Sequence, residues 1–151
     1  MNTIEQGVCT SYLLALAQAQ MNLSATTTQV FRIALYTANA VINPDTSTYI
    51  TEGEIPSTGG YTAGGTVLTF ANFASATGRV VTASFNDSVW PAATISAAGA
   101  LIYNATTNVA IAVLDFGGTK STNGTDFVVR MPANLPTTAL LRLQGGAKEI
   151  Q

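Results

Sequence analysis

The sequence predicts a mainly β protein: a single antiparallel β-sandwich or small barrel with one N-terminal α-helix and a long irregular arm. The chain of 151 residues has the length of one ordinary domain. Its apolar residues follow the helical period only near the N-terminus, and the two-residue period of strands over most of the remainder. Turn-forming Gly, Pro and Asn residues separate these stretches. We therefore assign residues 1–151 to one domain, with a helix near 4–22 and a β domain over 29–143.

The N-terminal helix is predicted most clearly over residues 5–20. Thr3 is its candidate N-cap. Its apolar face contains Ile4, Val8, Tyr12, Leu16 and Ala19. The apolar run at 12–17 is too short to span a bilayer, and no basic segment precedes it, so we expect neither a signal peptide nor a transmembrane helix.

Seven later stretches have the pattern of strands. In the first, Phe31, Ile33 and Leu35 share one face, and Arg32 lies on the other. Stretches 93–103 and 109–116 are more continuously apolar, which indicates interior strands joined by a hairpin turn. The predicted strands are 30–36, 66–71, 79–85, 93–103, 109–116, 126–131 and 138–143.

Residues 38–65 form the predicted irregular arm, which contains two prolines, five glycines and one short predicted strand at 48–51. Long excursions from a compact domain are usually functional, so we expect the arm to contact a partner. Tyr49 and Tyr61 are its candidate contact residues, because exposed tyrosines commonly anchor protein interfaces. Packing of both rings within the domain is the alternative.

The composition favours association over enzymatic or nucleic-acid functions. Charged residues make up 9% of the chain, and six Lys/Arg against eight Asp/Glu leave a net charge of −2. Six scattered cations do not suit an electrostatic nucleic-acid binder. A nearly neutral surface has little charge repulsion, which favours packing against identical copies or other proteins.

Catalytic templates do not fit the sequence. The chain has no histidine, which excludes Ser-His-Asp and Cys-His arrangements. The glycine-rich stretch 59–65 lacks the Lys and Ser/Thr of a phosphate loop, and Asp115-Phe116-Gly117 spells a kinase metal motif without the rest of a kinase. We expect no catalytic residue, no cofactor and no metal site, and therefore no enzyme.

Carboxylates and one thiol are the remaining reactive groups. Glu52 and Glu54 lie in the arm, and the aspartates at predicted strand ends, Asp87, Asp115 and Asp126, are expected to bond turn amides. Cys9 has no partner within the chain. It is expected to be a small buried apolar residue, with an intermolecular disulfide as the alternative.

Several stretches resemble a family of small virion proteins of tailed bacteriophages. In chain order they are VCTSY at 8–12, FRIALYT at 31–37, Glu54 with GYTAGGTVLT at 60–69, FNDSVW at 85–90, AGALIYN at 98–104 and AIAVLDFG at 110–117. They extend in the same order over nearly the whole chain. The family commonly has Arg at the position of Ala98 and a charge-rich short helix where this chain has residues 13–20.

The resemblance implies a non-enzymatic structural protein located in the virion. Together with the low charge, it leads us to expect a capsid decoration or cement protein on the head surface, with the major capsid protein as its partner. A homo-oligomer, such as a trimer on a three-fold capsid position, is expected. The candidate assembly interface comprises Tyr12, Leu13 and Leu16 on the helix and Tyr49 and Tyr61 in the arm.

Two other functions are compatible with the sequence. A tail, collar or fibre-base structural protein would be present in few copies per particle. A carbohydrate-binding adhesin would need exposed aromatic side chains, for which Trp90, Tyr49 and Tyr61 are the candidates.

Overall fold

The computed structural model describes residues 3–144. Strands hold 45% of these residues and helix 6%, which confirms the mainly β class and the β-sandwich-like arrangement of several antiparallel sheets. In chain order the elements are β1 Gly7–Val8, α1 Thr10–Ala17, β2 Phe31–Tyr36, β3 Thr66–Val67, β4 Phe70–Thr77, β5 Val80–Phe85, β6 Ser88–Ala93, β7 Ser96–Asn104, β8 Val109–Ser121, β9 Thr125–Val129 and β10 Leu141–Gln144.

The largest sheet contains five strands in the order β1-β8-β7-β2-β3. β7 is its central strand and pairs antiparallel with both β2 and β8. All of β7 except its first residue is buried. This burial explains the continuous apolar run that marked β7 as an interior strand.

Two smaller sheets complete the strands: a three-stranded sheet in the order β10-β5-β4 and a two-stranded sheet of β6 and β9. The β6–β9 pair continues the β7–β8 hairpin, because Ser96 pairs with Ser121 and Ala93 pairs with Thr125. We call the resulting structure, residues 88–129, the ribbon. Its pairing register shifts between Ala97 and Gly99 and between Trp90 and Ala93, and such shifts let paired strands bend from one layer to the next.

The five-stranded sheet is buried on both faces. Phe31, Ile33 and Leu35 belong to the larger core, which also includes side chains from α1, β5, β6, β9 and β10. Ala34 and Tyr36 alternate with them and belong to a second core on the opposite face. That second core is completed by the N-terminal segment and by the first part of the arm.

The helix is shorter than predicted. Instead of residues 4–22 it covers Thr10–Ala17, because Gly7–Val8 pairs with the edge of β8 as strand β1. Cys9 occupies the N-cap position, and its amide donates to the Ile111 carbonyl oxygen at 2.8 Å. Thr3 is therefore not the cap: its hydroxyl donates to the Ala38 carbonyl oxygen at 2.9 Å.

The arm is irregular, as predicted, but it is folded onto the five-stranded sheet. Ile42 and Ile55 are buried in the two cores. The amide of Glu5 donates to the Ile42 carbonyl oxygen at 2.9 Å, which ties the arm to the N-terminal segment. The strand predicted at 48–51 is wrong, since these residues have irregular backbone.

Several strand boundaries also differ. The stretch 66–71 is divided between β3 and β4, and β4 continues to Thr77. β6 was missed, because Pro91 lacks the amide hydrogen that a ladder needs; here Pro91 is exposed in a two-stranded sheet. Within residues 3–144, no helix has the length and hydrophobicity that crossing a membrane requires.

Candidate functional site

An apolar groove of about 260 Å³ separates the C-terminal end of α1 from the β10-β5-β4 sheet. Leu16, Met21 and Leu23 contribute to one wall, and Val81 and Leu143 to the other. Among residues 3–144, no charged side chain lines this groove. An uncharged concave surface beside exposed leucines has the character of a protein-docking site.

The three helix residues predicted at an interface have different positions relative to this groove. Tyr12 and Leu16 line it, but Tyr12 is buried in the larger core, so it supports the groove from beneath. Leu16 is partly buried. Leu13 is 45% exposed and lies one helical turn before Leu16. The helix prediction is therefore wrong for Tyr12 as a surface residue, while Leu13 and Leu16 are accessible.

The opposite wall of the groove was missed by the sequence analysis. Val81 and Leu143 are register partners of β5 and β10, and both are exposed. The strand alternation of 79–85 places Val81 on the same face as Ala83 and Phe85, and this pattern could have predicted an apolar surface here. Val81 lies near the start of β5, before the buried residues of that strand, which leaves it open to solvent.

A larger cleft of about 600 Å³ runs along the ribbon beside β1 and the segment before β10. Phe116, Phe127 and Leu140 provide apolar lining, and Lys120 and Arg130 provide positive charge. None of the predicted interface residues lines it. The groove is therefore the better candidate for the predicted assembly contact.

Tyr49 and Tyr61 converge on Glu54 within the arm. The Tyr61 hydroxyl donates to Glu54 Oε1 at 2.5 Å, and the Tyr49 hydroxyl donates to Glu54 Oε2. The amide of Gly64 also donates to Oε1, at 2.7 Å. The amide of Leu35 in β2 donates to the Tyr61 hydroxyl oxygen at 3.0 Å. We call these residues the Glu54 clasp, because they fasten the arm to β2.

Two neighbouring tyrosines extend this network. Tyr103 stacks on Tyr49 with ring centroids 4.8 Å apart, and its hydroxyl donates to the Gly64 carbonyl oxygen at 2.6 Å. Tyr36 donates to the Ile50 carbonyl oxygen at 2.6 Å. Burial raises the pKa of Tyr36 and Tyr61, and the nearby Glu54 carboxylate adds to the rise. All these phenols are therefore neutral donors at neutral pH.

The arm tyrosines are not the exposed anchors that the sequence suggested. Tyr61 is 3% exposed, and Tyr49 is partly buried against Tyr103. Trp90 is 5% exposed and packs near Tyr61 and Phe127. The aromatic platform considered for carbohydrate binding is thus contradicted, because two of its three rings belong to the core.

The three aspartates have the structural roles predicted for them. Asp87 accepts a hydrogen bond from the Met131 amide at 2.7 Å, and Asp126 accepts one from the Ala92 amide at 3.0 Å. Asp115 accepts one from the Gly117 amide at 2.9 Å. Among residues 3–144, no three His, Cys, Asp or Glu side chains are grouped to hold a metal ion.

Cys9 is fully buried within the second core. Burial raises the pKa of its thiol to about 11. The thiol lies 3.9 Å from the Asn43 carbonyl oxygen. This position agrees with the expected small buried residue and removes the sulfur from contact with another chain.

Comparisons with protein-family models, with curated proteins and with solved structures find no match to this chain.

Proposed function

We propose that this chain is a structural component of a bacteriophage virion, a decoration or cement protein that stabilises the head by binding the major capsid protein. The observation that supports this proposal best is the uncharged groove between α1 and the β10-β5-β4 sheet. Partly exposed leucines and valines around it offer apolar area that a neighbouring protein would remove from water.

The cementing effect follows from the physics of such a contact. A copy that binds two capsomers buries surface on both, and that surface must be exposed again before the shell opens. A standard contact of about 1,600 Å² is enough for a specific interface. The rigid scaffold behind the groove limits the entropy lost on binding, since β5 and β10 are already paired.

Variants of two exposed valines test this proposal on intact particles. Val81→Glu places a charge in the groove, whereas Val89→Glu places one on β6, where Val89 is 47% exposed outside the groove. We expect Val81→Glu to lower the occupancy of the protein on the head and the temperature at which particles release DNA. Val89→Glu particles should match the wild type. Equal occupancy and equal heat resistance for both variants would contradict the proposal.

The number of copies per particle separates the head from the tail. A head decoration approaches the major capsid protein in copies, whereas a tail, collar or fibre-base protein is limited by the symmetry of the tail. Quantitative mass spectrometry of purified virions measures this ratio. A low, fixed copy number would replace the cement proposal with a tail role.

Self-association is part of the same proposal. A homo-oligomer, such as a trimer at a three-fold position of the shell, would repeat the groove around one axis. Sedimentation of the purified protein should detect the oligomer, and Val81→Glu should show whether the groove binds another copy or the capsid. An oligomer that survives this change assigns the groove to the capsid protein.

A further inference from the structure

The larger cleft, of about 600 Å³, lies beside strand edges of two different sheets. β1 covers the edge of β8 only opposite Ala112 and Val113. β9 pairs with β6 on one side, and within residues 3–144 it has no other strand neighbour. Residues 114–116 of β8 and 127–129 of β9 both line the cleft. A molecule that enters the cleft therefore meets main-chain groups at strand edges as well as side chains.

The edge of β8 is closed to a further strand by side chains. Gln6 Oε1 accepts a hydrogen bond from the Asp115 amide at 3.2 Å, and Asp115 Oδ1 accepts one from the Gly117 amide at 2.9 Å. Side-chain oxygens thus occupy the amides that a strand added beside β1 would need. The carboxylate of Asp126 in β9 is turned toward β6 instead, where it accepts the Ala92 amide at 3.0 Å. β9 is therefore the better edge for an added strand.

The side chains around β9 favour a strand that has apolar residues at alternate positions. Phe127 and Val129 belong to the larger core, whereas Val128 between them is 40% exposed. Phe116 and Leu140 line the cleft and are only partly buried. Because the side chains of a paired strand alternate between the two faces of a sheet, every second residue of an added strand would contact this apolar lining.

The cleft carries positive charge in a chain whose net charge is −2. Lys120 and Arg130 line it, and both are exposed. The Arg130 guanidinium lies 3.9 Å from the Asp87 carboxylate, but its side chain is 82% exposed, so this contact leaves it able to bind another carboxylate. The carboxylate of Asp115, which also lines the cleft, is bonded to the Gly117 amide. The charges of the cleft therefore complement an acidic segment.

We propose that this cleft binds an extended, acidic segment of a partner protein, which pairs with β9 as an added strand. Its alternate apolar side chains enter the cleft, and its carboxylates lie near Lys120 and Arg130. In this mode of binding, main-chain hydrogen bonds supply affinity and side-chain contacts supply specificity. The inference goes beyond the head-stabilising role and does not depend on it, because none of residues 3–144 lines both the cleft and the groove.

The test uses the purified full-length chain and the synthetic peptide acetyl-Glu-Val-Thr-Val-Thr-Val-Glu-amide, with titration calorimetry. We expect this acidic peptide to bind with a Kd below about 1 mM. A peptide with Lys in place of both Glu residues should bind about fivefold more weakly, because it faces Lys120 and Arg130. A proline peptide has Pro at the central Val and at the Thr that follows it, which removes an amide hydrogen whichever residues face β9. It should bind at least about tenfold more weakly.

Hydrogen–deuterium exchange locates the added strand. Binding of the acidic peptide should slow amide exchange within β9, Thr125–Val129. β3, Thr66–Val67, is the edge strand at the other side of the five-stranded sheet and should exchange equally with and without the peptide. Protection confined to α1 and the β10-β5-β4 sheet would assign the peptide to the groove and overturn the proposal.

Three variants make the result specific. Lys120→Glu combined with Arg130→Glu reverses two exposed charges and should make the peptide with Lys at both ends the tighter binder. Arg79→Glu changes an exposed arginine outside the cleft, and Val81→Glu disrupts the groove, so neither should change binding. The proposal is overturned if the acidic peptide does not bind. It is also overturned if the proline peptide binds equally well, since the cleft would then take an apolar anion without strand pairing.

Discussion

The Tyr61 hydroxyl donates to Glu54 Oε1 at 2.5 Å, while both residues belong to an arm that has no regular secondary structure around them. The same hydroxyl accepts a hydrogen bond from the Leu35 amide of β2. One side chain thus connects β2, an interior strand of the sheet, to a carboxylate in the arm. Backbone pairing at Glu54 reinforces this connection, since the Ile55 amide donates to the Leu35 carbonyl oxygen at 3.0 Å.

The first prediction concerns the carboxylate of the Glu54 clasp. Three donors, from Tyr49, Tyr61 and Gly64, converge on Glu54, and a glutamine would turn an amide donor toward at least one of them. We expect Glu54→Gln to lower the free energy of unfolding by about 1–3 kcal/mol in urea denaturation. Glu52→Gln is the matched control at an exposed position and should change it by less than about 0.5 kcal/mol. Similar losses of stability for both variants would contradict a stabilising role of the Glu54 clasp.

The second prediction concerns the close approach of the arm to β2. Gly65 has a φ of +78°, and a Cβ added there would collide with the Ile33 carbonyl oxygen. Gly65→Ala should therefore lower the free energy of unfolding by about 3 kcal/mol or more.

Gly78 is the control for this substitution. Its φ of +64° is similar, but an added Cβ would meet nothing within 4 Å. Gly78→Ala should lower the free energy of unfolding by about 1–2 kcal/mol, because only the strain of a positive φ is added. Thermal or urea unfolding of the two variants measures the difference. Equal losses of stability would contradict a destabilising collision at Gly65.

The third prediction is a loss of stability in alkali. Burial raises the pKa of all five tyrosines, namely Tyr12, Tyr36, Tyr49, Tyr61 and Tyr103. In the unfolded chain these phenols ionise near their ordinary pKa of about 10. The unfolded state then binds fewer protons than the folded state, so stability is complete below about pH 10 and falls as pH rises further.

Urea denaturation at several values between about pH 8 and about pH 11 measures this slope. Phenolate absorbance should rise together with the loss of near-ultraviolet circular dichroism. Ionisation of most tyrosines in a chain that stays folded at about pH 11 would contradict the prediction.

The fourth prediction concerns the reactivity of Cys9. A thiol pKa of about 11 instead of 9.0 leaves about 100-fold less thiolate at neutral pH, and burial also blocks the reagent. We expect iodoacetamide to label the native protein much more slowly than the urea-unfolded protein, as followed by mass spectrometry. A monomer-sized band should persist without reducing agent, whereas rapid native labelling or a disulfide-linked dimer would contradict the buried position.

Local sequence patterns predicted the interior of the fold well. The alternation of Phe31, Ile33 and Leu35 identified the face of β2 that lies in the larger core, and the apolar runs identified β7 and β8 with the turn between them. These features could be predicted because the two-residue period of a strand depends only on residues that are adjacent in the sequence.

The N-terminal helix shows where local patterns lose to tertiary contacts. Residues 4–9 carry part of a helical pattern, but the β8 edge takes Gly7 and Val8 as a short strand. An added Cβ at Gly7 would approach Pro44 Cγ to 2.8 Å, so the extended segment also fits closely against the arm. Both contacts involve residues that are distant in the sequence, so the local pattern of residues 4–9 does not predict them.

The candidate sites depended on partners that are distant in sequence. Val81 and Leu143 meet because β5 and β10 pair, although 62 positions separate them along the chain. Such features arise from the packing of separate elements, which a single sequence does not specify locally.

The ribbon has a mechanical consequence. Its two chain segments pass from the five-stranded sheet to the β6–β9 layer through short irregular stretches at 94–95 and 122–124, and the hydroxyls of Ser96 and Ser121 lie 2.8 Å apart beside these stretches. A tensile force applied to the two layers would act on this pair of strands, and the interstrand bonds along 88–129 would share the load. Pulling the two layers apart should therefore require these interstrand bonds to break.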